Sequence, residues 1–141
     1  MGEEGRVGIL MCAGCAFVCL LLFVTMALTQ IAMQDRRLVS CADAMAGASV
    51  GGASSSSVLS GEEAGVDEAD ALSRVQDALG ALSGTTCRVG EGVSVTEVRV
   101  ERGEVEVSVR ARPVVSVVPP ALRAVVVPDL ERSSSARVRP L

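Results

Sequence analysis

Three thiols lie close together near the start of the chain. Cys12, Cys15 and Cys19 stand at i, i+3 and i+7, so a helix carries them on one face. Clustered thiols are what soft-metal binding or redox chemistry requires. The same stretch also places Gly8, Cys12 and Ala16 four residues apart, the small-xxx-small row that lets membrane helices approach closely. Cys is then a small, polarisable packing residue. Packing is the reading the spacing favours for Gly8, Cys12, Cys15, Ala16 and Cys19. Metal or redox chemistry is its rival, and acylation or an intermolecular bridge comes third. Cys41 and Cys87 are the other two cysteines. An even pair outside the first run suits a disulfide in an oxidising compartment. Such a bridge would close a loop worth about 4 kcal/mol by chain-entropy arithmetic. The alternative is two unpaired thiols on a cytoplasmic domain. The serines 54–57 have no base to activate them, and no Gly-x-Ser-x-Gly elbow occurs.

Composition removes most other chemistry. The 141 residues include no His, Trp or Tyr, only two Phe (Phe17 and Phe23), and no Lys, so all thirteen basic residues are Arg. Without His there is no imidazole base and no usual zinc site; without Lys there is no Schiff base and no P-loop. A net charge of −4 and no aromatics beyond Phe23 leave no footprint for nucleic acid. No small-molecule substrate, metal or cofactor is indicated, and the chain reads as a non-enzyme.

The element that carries the thiols is itself unusual. From Val7 to Gln34 no charged residue occurs. A bilayer core about 30 Å thick needs roughly 20 apolar residues at 1.5 Å each, and Val7–Thr29 meets that length. A cleaved signal peptide has a shorter apolar core with a small-x-small site close behind. Here the nearest such sites, at Ala42–Ala44 and Ala44–Ala46, lie beyond Arg36-Arg37. Ala13-Gly14-Cys15 resembles a lipobox but opens the run rather than closing it. The single-pass span therefore has the bilayer as its first partner. Arg6 on one side and Arg36-Arg37 on the other leave the charge bias nearly balanced.

The organisation reads as a leader over 1–6, a transmembrane helix over 7–33, a helical stalk over 34–50, a Gly/Ser linker over 51–61 and a small domain over 62–141. Ile31, Leu38, Ala42 and Met45 share one helical face of the stalk, which has no Pro or Gly before Gly47. Asp43 reads as a solvated helix charge. Gly51-Gly52-Ala53 and the four serines end the helix as a flexible linker.

In the last segment Glu62, Glu63, Asp67, Glu68 and Asp70 precede Ala71, Leu72, Val75, Ala78, Leu79 and Leu82 at helical spacing. Acids at a helix start match its dipole, and their spacing is not that of an EF-hand. The helix stops at Gly84. Period two then takes over: Val93, Val95, Val98 and Val100, with a phase slip at Thr96-Glu97 that predicts a bulge. Arg102-Gly103 is a hairpin turn, and Val105, Val107, Val109 and Ala111 form the second strand. Val114–Val118 either extends that strand or forms another, until Pro119-Pro120 breaks it. Ala121–Val127 is either a short helix or a strand, and residues 133–138 an edge strand with its charges outward. Arg99 and Arg110 read as exposed cross-strand partners of Glu. The fold class is α+β, a helix laid on a small antiparallel sheet behind a long membrane helix.

These features together point to one family. Glu3-Glu4-Gly5 directly precedes the apolar helix, which runs on into Arg36-Arg37-Leu38-Val39-Ser40-Cys41-Ala42-Asp43-Ala44-Met45-Ala46. Over residues 3–50 the chain resembles the TadE/TadG-like minor pilins (pseudopilins) of Flp-type tight-adherence systems. The resemblance implies cleavage by a prepilin peptidase after Gly5, leaving Arg6 as the new N-terminus. It also implies a cell-membrane location with the C-terminal domain outside the cytoplasm. The partners it implies are other pilin-like or pilus-assembly membrane proteins, met through the N-terminal helix. Typical members carry a Glu where this chain has Leu10. The resemblance therefore leaves open whether the chain enters a fibre or stays beside it as an accessory. A single-pass envelope binding module, not processed as a pilin, is the alternative.

Overall fold

A computed structural model describes residues 3–60 and 67–137. The order is α1 (Glu3–Ser60), α2 (Glu68–Leu82), β1 (Val93–Glu101), β2 (Glu104–Ala111), α3 (Pro120–Val126) and β3 (Leu130–Arg137). The three strands form an antiparallel meander in the order β1-β2-β3. Both long helices pack on one face of it, α1 over β2 and β3 and α2 beside it over β1. The α+β expectation holds in this form, with two covering helices where one was expected.

The single helix α1 contains 58 residues, about 87 Å at 1.5 Å each. Two sequence expectations fail along it. The first is the linker: α1 runs on through Gly51, Gly52 and the serines to Ser60. An established helix gains one hydrogen bond for each residue added, so a short Gly/Ser stretch of modest propensity cost need not end it. Gly61, the last residue of the expected linker, lies outside the described residues, as do Met1 and Gly2 of the leader.

The second failure is the stalk. Leu38, Cys41, Ala42, Met45, Ala46 and Ser49 are all buried. Residues 34–50 do not lift a separate domain. They are the central helix of the head. The amphipathic pattern marked a buried face correctly, but period alone does not say what buries it.

α2 begins at Glu68 after Asp67, with Glu68 and Asp70 in its first turn. Ala71 and Val75 are its buried positions, with Ala78, Leu79 and Leu82 packed around them. Leu72, expected on that face, is exposed. Glu62 and Glu63 lie outside the described residues. A disulfide joins Cys41 of α1 to Cys87, just past α2, with the Cα atoms 4.9 Å apart. Further along the pair, Arg74 donates to the carbonyl oxygen of Ser49 at 3.4 Å. The two helices are therefore antiparallel.

The sheet follows the alternation closely. Val105, Val107, Val109 and Ala111 are buried beneath α1 while Glu106 and Arg110 face out. The register slips between Val95 and Glu97, so Val93 and Val95 before the bulge and Val98 and Val100 after it share the inner face. Arg102 and Gly103 both have positive φ, 49° and 76°. That makes a two-residue turn whose twist matches the strands it joins. β3 ends its description at Arg137, which faces out and pairs with Glu104 of β2 at 2.8 Å; Val138 lies outside the described residues. Arg110 likewise reaches Glu131 across the strands at 3.1 Å, whereas Arg99 pairs within its own strand with Glu97 at 2.7 Å. Ala121–Val126 resolves as helix, with Val127 capping it in extended backbone and Pro120 in the first turn, where its missing N–H costs nothing. Val114–Val118 is not a strand. It is held by α1.

Candidate functional site

The lower half of α1 is bare. Every side chain from Gly5 to Met26 is exposed, including Gly8, Cys12, Cys15, Ala16 and Cys19. A soluble core helix of this composition would be covered, whereas none of this helix's most apolar stretch is buried. The helix is long and apolar enough to cross a membrane. Its only hydroxyls within Val7–Thr29 turn back on the helix: Thr25 Oγ1 donates to the Leu22 carbonyl oxygen at 2.9 Å and Thr29 Oγ1 to that of Thr25 at 2.8 Å. Such self-satisfied hydroxyls suit a medium without water. Arg6 flanks the run at one end and Arg36 and Arg37 at the other, all exposed.

Cys12, Cys15 and Cys19 are free, exposed and on one face of a regular helix. Among the described residues no group of three or more His, Cys, Asp or Glu side chains is gathered as a metal site. A Cβ added at Gly8 or Gly14 meets nothing within 4 Å, so among the described residues no other part of the chain fills the small-residue row. Gly5 lies in the first turns of α1, with equally open surroundings.

Cover begins where the run ends. Ala27, Gln30, Ile31 and Gln34 are half-buried. Gln34 Nε2 donates to the Val114 carbonyl oxygen at 2.7 Å, and the Val114 N–H donates to Gln34 Oε1 at 2.8 Å. One turn earlier, Gln30 Oε1 accepts from the Ser116 N–H at 3.1 Å and from the Ser116 hydroxyl at 3.3 Å. The two amides thus serve as a short strand edge for residues 114–116. One turn later, Arg132 of β3 lies 2.9 Å from an Asp35 carboxylate oxygen. Further up, the Ser134 hydroxyl donates to Asp43. Asp43 is therefore a contact between α1 and the sheet, not a merely solvated charge.

These contacts give the head a direction. β3 runs alongside α1 from Arg132 at Asp35 to Ser134 at Asp43, so the start of β3 and the end of β2 face the bare run. The connection between them, residues 112–129, sits at that end. An ion pair clasps its root, with Arg112 Nε 2.8 Å from one Asp129 oxygen and Arg112 Nη2 3.4 Å from the other. The Arg112 guanidinium holds the Asp129 carboxyl below its usual range. Gly90 closes on the same root: its φ is +53°, and a Cβ there would lie 1.9 Å from the Arg112 carbonyl oxygen. That oxygen accepts the Glu91 N–H at 3.1 Å.

No family model, no curated protein and no solved structure matches the chain. Sequence reasoning found the thiol face and the cysteine pair. It missed Gln30, Gln34, Asp35, Arg132 and Gly90. The one available signal was two amides at i and i+4 immediately after an apolar run.

Proposed function

We propose that this chain is a single-pass membrane protein of the TadE/TadG-like pseudopilin type. It acts as a structural or accessory component in the assembly of a Flp-type pilus or related secretion fibre. The observation that carries this reading is the asymmetry of α1: one unbroken helix, naked and apolar from Val7 to Met26, buried in an α+β head from Leu38 to Ser49. A helix of that kind offers its partners a side face rather than a chemical site. The row Gly8, Cys12 and Ala16 is the part where another helix approaches most closely. The Cys41–Cys87 bridge suits a head on the oxidising side of the membrane.

The N-terminus and intact mass of the membrane-extracted protein test the proposal. It expects a chain starting at Arg6 that gains two hydrogens on reduction. A chain starting at Met1 with all thiols free contradicts it. That outcome favours an unprocessed anchored binding module, the reading to which Leu10 lends weight.

A further inference from the structure

The connection between β2 and β3 carries an apolar surface with no use inside the head. From Val114 to Val127 the only charged residue is Arg123, and Ser116 is the only other polar one. Val115 and Val127 are buried and root the segment. Between them lies α3, in which no residue is buried: Leu122, Val125 and Val126 are 52%, 85% and 61% exposed. Apolar side chains gathered in this way mark an interaction surface.

Its position says what it meets. Gln30 and Gln34, the last polar residues before Asp35 ends the charge-free run, hold Ser116 and Val114. The direction of β3 along α1 puts the whole connection at the end of the head nearest the bare run. Cover on α1 starts at Ala27, inside the charge-free stretch. Any bilayer that surrounds Val7–Thr29 therefore ends near the level of residues 114–116, from which α3 follows with its apolar side chains exposed. Arg123, the one charge of the segment, is half-buried, and its Nε donates to the Val118 carbonyl oxygen at 3.2 Å, so that charge is tied to the segment's own backbone.

We infer that α3 is a second membrane contact, an interfacial wedge whose exposed Leu122, Val125 and Val126 are set in the lipid beside the spanning helix. The head then meets the bilayer at two points, which fixes its tilt against the membrane plane. This rests on the reading that α1 spans the membrane. A second copy of the chain would have to share the same level with lipid, so lipid is the occupant to which the geometry commits.

The absence of Trp and Tyr makes the test direct. Val125→Trp, Phe17→Trp and Glu101→Trp variants of the full chain are reconstituted in phosphatidylcholine–phosphatidylglycerol vesicles, with and without bromine on the acyl chains. Leu122→Trp serves as a second probe of α3. Phe17→Trp must lose most of its emission to brominated lipid. Val125→Trp and Leu122→Trp must lose it too, most strongly when bromine sits high on the acyl chain. Glu101→Trp, at the far hairpin, must keep an emission like that in water. Quenching of Phe17→Trp with no more quenching of Val125→Trp than of Glu101→Trp overturns the wedge and leaves the spanning helix standing. A blue-shifted but unquenched Val125→Trp overturns it in favour of protein cover. An unquenched Phe17→Trp removes the spanning helix, and the wedge with it.

Discussion

The side-chain amide of Gln34 pairs with the backbone of Val114 in both directions, donating at 2.7 Å and accepting at 2.8 Å. Eighty residues separate them, yet this is how a segment outside the sheet finds a strand-like partner. One turn down the helix, Gln30 Oε1 accepts from both the N–H and the hydroxyl of Ser116. The head is thereby fastened to α1 where the apolar run gives way to polar residues. The fastening uses neutral amides, which tolerate the edge of a membrane better than charges do.

Gln34→Ala leaves the Val114 N–H and carbonyl without their partner and should cost about 1–3 kcal/mol. Denaturant unfolding of the full chain measures that loss, and amide exchange should quicken at residues 114–118 first. Gln34→Glu retains an acceptor for the N–H but supplies no donor to the carbonyl, so it should fall between the two.

Gly90→Ala should destabilise the head by about 2 kcal/mol or more, because a side chain is forced into the left-handed region against a backbone oxygen. The melting temperature reads this out. Gly92→Ala is the control: its φ of +130° is also a glycine conformation, but nothing lies within 4 Å of its Cβ. A smaller loss there separates backbone strain from the clash with Arg112.

The Arg112–Asp129 clasp predicts an acid response. The guanidinium holds the Asp129 carboxyl below its ordinary range, so between the two values the unfolded chain binds a proton that the folded chain does not. Stability from this group is complete above the ordinary carboxylate range and is lost as pH falls through the folded value. Glu104, lowered by the Ser135 hydroxyl and then by Arg137, acts in the same direction at the other end of the sheet. Asp129→Asn should abolish the acid-induced loss of amide protection, measured against the unfolded-chain exchange rate, over residues 112–129. Protection near Glu104 should keep its wild-type pH dependence.

Gly8→Leu or Ala16→Leu should reduce crosslinking between membrane-embedded partners while the head melts at the wild-type temperature. The bulk is added where none of the described residues of the head is touched. Unchanged crosslinking would remove the small-residue row from the account.

Much of the head was legible in residue types. The phase slip at Thr96-Glu97 fell where the register shifts, and Arg102-Gly103 makes the turn. Cys41 and Cys87 are joined. These are local signals, each written within a few residues or by a scarce residue type. What escaped depends on pairing across the chain. The stripe Leu38, Ala42 and Met45 is the same whether it faces solvent at a stalk or β2 in a core. Asp35 and Arg132 are ordinary charges until β3 lies beside α1. Gly51-Gly52 with its serines resembles a break because propensity weighs residues singly, whereas an existing helix extends cooperatively.

Thiol accessibility in intact vesicles tests the central claim, that Val7–Thr29 of α1 lies in the bilayer and the bridged head outside it. An impermeant maleimide should add to none of Cys12, Cys15 and Cys19 while the bilayer is whole. Denaturation in SDS should then yield three adducts, matching the three free cysteines, and reduction beforehand should yield all five. Adducts on Cys12, Cys15 or Cys19 in intact vesicles would contradict the account, because a helix within the bilayer core does not present those thiols to water.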